Sequence, residues 1–229
     1  MIPLSERLEL IRTLVPQNAS VCDVGTDHGY LPAALIKSGK VRSVIATDLR
    51  EKPLENAASN LKRFGIENVS LRLCDGLSAV GPDEADTVII AGMGGEVIAG
   101  IMERAPWLKN SKVTLILQAM TSCEALRDYL AQNGFAIENE ITLKENGKVY
   151  SVILSRFDGV VREISYVYRY IGGIRYITSS DKAYIDKQYH RLYECAKSLE
   201  GIETQREKYQ EYKIAVDEMR RLMEETNGV

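Results

Sequence analysis

Along the first 160 residues, short apolar runs alternate with stretches whose apolar positions recur every three or four residues. Residues 4–15 carry apolar side chains at 4, 8, 11 and 14/15, a helical period that Pro16 stops. The next run ends at Asp23, and Gly25-Thr26-Asp27-His28-Gly29 then opens a helix over residues 31–37. Pro32 is tolerated in the first turn of that helix, and Gly39 follows its end. The pattern continues with a strand at 43–48, a helix at 51–64 with Gly65 as its cap, and a strand at 69–73 running into Cys74-Asp75-Gly76. Residues 85–91 are almost uninterruptedly apolar, as a parallel strand buried on both faces should be. Gly92-Met93-Gly94-Gly95 reads as a turn ahead of a helix reaching about Arg104. A strand at 112–118, a helix at 123–132 and strands at 135–142 and 148–156 complete the series. The last two are joined through Lys144-Glu145-Asn146-Gly147, where Asn-Gly signals a hairpin.

Five β-α units and a hairpin predict an open, Rossmann-like α/β sheet, mainly parallel with one antiparallel strand. From about Gly159 strand signals stop, and nine of the twelve tyrosines fall between Tyr166 and Tyr212. Ile185, Tyr189, Leu192, Ala196 and Leu199 step by four and three, as do Tyr209, Tyr212, Val216, Met219 and Met223, with Gly201 between the series. These spacings predict an antiparallel helical hairpin with coiled-coil-like packing. The expected division is therefore 1–158 and 159–229, with the tyrosine stripe serving packing more than base stacking.

Composition narrows the class. The chain has 229 residues, 45% hydrophobic and 27% charged, which suits one well-buried core with an appendage. No apolar run approaches the roughly 20 residues that span a bilayer, and residues 1–9 lack a signal-peptide core. Cys22, Cys74, Cys123 and Cys195 show no CxxC spacing, so neither disulfides nor a metal site is expected and a cytoplasmic location fits. The net charge of −3 hides an asymmetry: residues 162–197 hold seven basic side chains against four acidic ones. Such a segment can supply a phosphate-binding face or simply a solvated helix face.

The chemistry gathers at strand ends. Gly25 and Gly29 allow a tight turn close to a ligand, and the helix start beyond Gly29 offers free amides to an anion such as a carboxylate. Asp27 replaces the middle glycine of a dinucleotide fingerprint, where it would face a pyrophosphate but welcomes a cation. Asp48 is placed for two ribose hydroxyls, and Asp75-Gly76 for an adenine amino group. Gly92-Met93-Gly94-Gly95 brings no catalytic carboxamide or carboxylate, so its backbone must position the acceptor, with Met93 as a flexible wall.

The strand-and-helix order resembles class I S-adenosylmethionine-dependent methyltransferases. More specifically, the chain resembles the bacterial family of tRNA adenine-22 N1-methyltransferases over nearly its whole length. The residues that carry the resemblance are Leu4-Ser5-x-Arg7-Leu8, Asp23-Val24-Gly25-Thr26-Asp27-His28-Gly29-Tyr30-Leu31-Pro32, Gly76-Leu77, Ile90-Ala91-Gly92-Met93-Gly94-Gly95, Leu117-Gln118 and Gly147-Lys148-x-Tyr150. Ala119 stands where the family has proline, and Asp48 where some relatives have glutamate. The resemblance implies S-adenosylmethionine as cofactor, bound by Asp23, Gly25, Thr26, Gly29, Tyr30, Leu31, Asp48, Leu49, Asp75, Gly76, Ala91 and Gly92. It implies catalytic roles for Asp27, His28 and Met93, and tRNA contacts by Arg7, Gly94, Gly95, Gln118, Arg169, Arg175, Lys182 and Arg191. No membrane or metal partner is expected, and the chain should be a monomer or weak dimer. A small-molecule methyltransferase and a non-catalytic binder of cofactor and RNA are the competing readings.

Overall fold

A computed structural model describes residues 2–227. Seven strands form one sheet in the order β3-β2-β1-β4-β5-β7-β6. The strands are β1 (Ala19–Val24), β2 (Val41–Asp48), β3 (Val69–Leu73), β4 (Thr87–Gly94), β5 (Thr114–Thr121), β6 (Phe135–Glu145) and β7 (Lys148–Phe157). β1 to β5 pair in parallel, and β7 runs antiparallel to both neighbours, as the expected single reversed strand. The order reverses between β1 and β4, creating the crevice in which open α/β sheets bind ligands.

Helices α1 (Glu6–Leu14), α2 (Tyr30–Lys37), α3 (Glu51–Arg63), α4 (Gly95–Glu103) and α5 (Cys123–Gln132) cover the sheet. Two cores follow, one on each face: Val88, Ile90, Leu115 and Leu117 pack towards Ile98, Met102 and Leu126, while Ile89 and Ile116 pack towards Ile11, Leu31 and Leu35. This alternation is why the central strands read as continuous apolar runs.

Two differences from the sequence expectation bear on the site. β4 does not stop at Ala91; it continues through Gly94 beside β5, with register shifts on both sides of Met93. The glycine-rich stretch is thus a bulged strand end, which re-aims backbone groups next to a crevice. The β6–β7 hairpin is also longer, because Lys144 and Glu145 pair with Val149 and Lys148. Only Asn146 and Gly147 remain as the turn, at φ 50° and 73°, the left-handed pair that a two-residue hairpin needs.

Beyond β7 lie α6 (Tyr166–Ile171), α7 (Ser179–Leu199) and α8 (Arg206–Asn227). Tyr170, Ile171, Ile174, Tyr184, Ile185, Leu192, Ala215, Val216 and Met219 make a third core. The tyrosines at 170, 184, 189 and 212 therefore face packing partners, as expected. α6 is an addition: six residues are too few for a helical period to show, although Ser165 caps its start and Gly172 its end. Among the described residues, no helix is long and apolar enough to cross a membrane.

Candidate functional site

The sheet order brings the ends of β3, β2, β1 and β4 side by side, so Asp75, Asp48, Asp23 and Gly92 lie along one edge. The turn after β1 is anchored sideways: the amides of Gly25 and Thr26 both donate to the Thr47 carbonyl of β2, at 2.8 and 3.0 Å. Gly25 has φ 76°, and a side chain there would collide with the Met93 methyl that rests above it. Gly29 has φ 69° and abuts Ala57, so its freedom serves the packing of α3 against α2 more than approach to a ligand. α2 begins at Gly29 with no side-chain cap, leaving its first amides for another acceptor.

The acids differ in setting. Asp23 is buried, and burial pushes its carboxyl up to about 6, with the Asp48 charge adding to the rise. Thr26 Oγ1 is itself buried and has no hydrogen-bond partner. Asp48 is buried except for its rim, and its Oδ1 accepts the Arg50 amide at 2.9 Å. Asp75 is exposed and pairs with Arg104 at 3.1 Å. The Gly76 carbonyl accepts from Thr47 Oγ1 at 3.0 Å, and a side chain on Gly76 would press on Ile101. A buried acid with a raised pKa, an unsatisfied hydroxyl and an uncapped helix start together fit a ligand with both cationic and anionic groups. A methionine-like zwitterion has that character.

Asp27 and His28 sit on the rim, both exposed, with Oδ2 and Nε2 3.4 Å apart. Asp27 is one of four described non-glycine residues with positive φ (49°), a strained backbone of the sort that clusters at functional sites. The His28 ring lies 5.9 Å from Tyr30, which lies 6.1 Å from Phe64. Leu49 is 68% exposed beyond Asp48, whereas Leu31 is buried in the core shared with β1 and β2. Ala91 is partly buried where β4 leaves β1.

On the other side of the crevice, Gln118 is fully buried within β5, opposite Ala91. Its Oε1 accepts from Arg7 Nη1 at 2.8 Å and from the Gly92 amide at 3.2 Å, and its Nε2 donates to the Ala119 carbonyl at 2.8 Å. Arg7 is held further by Glu145, which accepts its amide at 2.9 Å, and by the Tyr150 ring 5.9 Å from its guanidinium. No local pattern in the sequence marks Glu145 or Tyr150 for this role, because the residue each holds lies 138 or more positions away. Gly94 lies against Thr121, and a side chain on Gly95 would collide with the Ser122 carbonyl, so both glycines are needed for close passage of β5 and α5.

The cations of the helical region divide. Arg169 is bound to Asp128 and Glu211, both at 2.9 Å, and Arg191 to Glu124 at 3.0 Å with its guanidinium over the Tyr170 ring. These two tie helices together. Arg175 is exposed, and Lys182 lies over the Tyr176 ring at the start of α7.

A family model described as a methyltransferase domain matches residues 4–153. The tRNA (adenine(22)-N(1))-methyltransferase of Bacillus subtilis (strain 168) is 34% identical over 155 residues, 67% of this chain and 65% of that protein's length. A crystal structure of a putative tRNA (m1A22) methyltransferase of Streptococcus pneumoniae, in complex with S-adenosyl-L-methionine, is 31% identical. The match covers 93% of this chain and all of that one, with a TM-score of 0.79. The crystal structure of the B. subtilis m1A22 tRNA methyltransferase covers 97% of this chain and 99% of its own, at 25% identity and a TM-score of 0.85.

Proposed function

This chain belongs to the tRNA (adenine-22-N1)-methyltransferase family, and on that premise we propose that it transfers the methyl group of S-adenosylmethionine to N1 of adenine 22 in the D-arm of tRNA. The observation that carries the reading is the row of Asp75, Asp48 and Asp23 beside the uncapped start of α2, on the edge where the strand order reverses. When bound, the cofactor supplies a sulfonium methyl that the in-plane lone pair of adenine N1 takes without loss of a proton.

The residues of the chain hold and orient the two partners. The α2 amides face the cofactor carboxylate, and Asp23 with Thr26 Oγ1 faces its cationic end. Asp48, with one oxygen on the Arg50 amide, keeps the other for the ribose, and Asp75 and exposed Leu49 flank the adenine. Methylated adenine is a cation, so a carboxylate nearby stabilises charge as it develops; Asp27 on the rim is that group, with His28 beside it to orient the base. Met93, lying over Gly25, walls the ring on the cofactor side. The target base leaves its partner to reach this crevice, at a cost of a few kcal/mol. The hydrogen bond from Thr142 to Asp181 joins the hairpin to the start of α7. Exposed Lys144 and Lys148 of the hairpin, Lys182 of α7 and Arg175 from the segment ahead of α7 face tRNA phosphates.

Labelled S-adenosylmethionine and unmodified tRNA test the assignment. Label is expected in a tRNA carrying adenine at position 22 and absent when guanine replaces it. Incorporation into small acceptors with none into tRNA gives the small-molecule reading; cofactor binding with no transfer gives the non-catalytic one.

A further inference from the structure

The bulge in β4 leaves the Gly92 amide off the strand ladder, and a side chain takes it up: Gln118 Oε1, buried completely, accepts that amide and the Arg7 guanidinium together. An oxygen that accepts from a cation is a stronger and better fixed acceptor. Gln118 cannot turn over to present its Nε2 there, because Nε2 is committed to the Ala119 carbonyl. The orientation of one peptide plane is therefore set by two side chains from β5 and α1. A trans peptide points its carbonyl opposite to its N–H. With the Gly92 N–H directed at β5, the Ala91 carbonyl is directed at the β1 side, over the cofactor turn. β1 ends there: its last rung is Val24 opposite Ile90, and the following amides of Gly25 and Thr26 are already bonded to Thr47.

We propose that the Ala91 carbonyl, locked by Gln118 and Arg7, accepts a hydrogen bond from the 6-amino group of the acceptor base and so selects adenine. This rests on the methyl transfer to adenine N1 proposed above. The amino group adjoins N1 on the same ring edge, so one fixed carbonyl reports base identity and sets N1 in line. Guanine and hypoxanthine offer a carbonyl at that position and would meet oxygen with oxygen. Arg7 thereby acts as a positioning residue, and Gln118 likewise. A glycine-rich strand end with no polar side chain of its own becomes competent through its neighbours.

The test compares kcat and KM for two tRNAs, one with adenosine at the target and one with purine riboside, which lacks the amino group. The wild type should favour adenosine. In Gln118→Leu, and in Arg7→Met where the partly exposed site tolerates change, that preference should shrink by about tenfold, the worth of one hydrogen bond. Cofactor affinity, measured by calorimetry, should stay within about twofold in Arg7→Met. A general structural role would lower both substrates equally, and an unchanged preference in Arg7→Met overturns the proposal. A wild type that methylates neither tRNA removes the functional reading itself and this proposal with it.

Discussion

Asp23 closes β1 beneath the cofactor turn, and its carboxyl rises to about 6 against 3.8 in an unfolded chain. Between about pH 4 and 6 the native state keeps a proton that the unfolded chain releases, so stability falls as pH rises through that window and stays lower above it. A rise of this size is worth about 3 kcal/mol. Asp23→Asn should remove this slope in thermal melts from pH 4 to 8 and raise the midpoint at pH 8 without cofactor. The same charge attracts a cation, so cofactor affinity of the wild type should weaken as pH falls through about 6, as calorimetry would read. Asp27 has a different task under the proposed function: Asp27→Asn should lower kcat about 10- to 100-fold while leaving cofactor affinity nearly unchanged. Equal losses in both would make it a cofactor residue. At this scale the acids and the turn glycines could be read from the chain because each closes or follows a local apolar run. The reason for a glycine could not: Gly29 and Gly95 answer to Ala57 and Ser122, whose nearness only the folded chain creates.

Between elements, Arg127 of α5 lies fully buried in an ion pair with Glu140 of β6 at 2.5 Å. It also donates to the carbonyls of Arg169 and Tyr170 at the end of α6, both at 3.0 Å, and to the Tyr184 hydroxyl of α7 at 2.9 Å. One guanidinium thus joins the sheet, its covering helix and two helices of the C-terminal region. Arg127→Ala leaves Glu140 buried without a counter-charge and should cost about 3–5 kcal/mol in denaturant unfolding, with the double change Arg127→Met and Glu140→Leu recovering much of it. Gly95→Ala should also be severe, because the Ser122 backbone cannot move aside; Gly147→Ala, with open space around it, should cost only about 1 kcal/mol for its left-handed turn. Most elements were legible from apolar period and turn residues. The extent of β4 and the hairpin was not, because a strand end is set by its neighbour's hydrogen bonds.

For the molecule as a whole, the open, mainly parallel sheet with one reversed strand was legible because five β-α units and a terminal hairpin predict it, although the order of its strands was not read from the chain. The setting of the helical region against the sheet was not. It depends on pairs such as Arg127–Glu140, Arg169–Asp128 and Arg191–Glu124, and the last two engage cations that the resemblance places on the tRNA. The proposed tRNA contact then falls to fewer cations. Replacing Arg175 and Lys182 together by serine should reduce the slope of log affinity against log salt by about 2, measured by filter binding, whereas Arg191→Ser should act mainly through stability.

The Arg127 junction also makes the helical region an arm of fixed length and angle. An arm tied down by Arg127 through Glu140, two carbonyls and the Tyr184 hydroxyl, and again by Arg169 and Arg191 bonding to α5, resists swinging to follow a substrate. If its far contacts hold tRNA, they act as a ruler: the base offered to the crevice is chosen by its distance along a folded RNA, and the locked peptide only checks that the base at that distance carries an amino group.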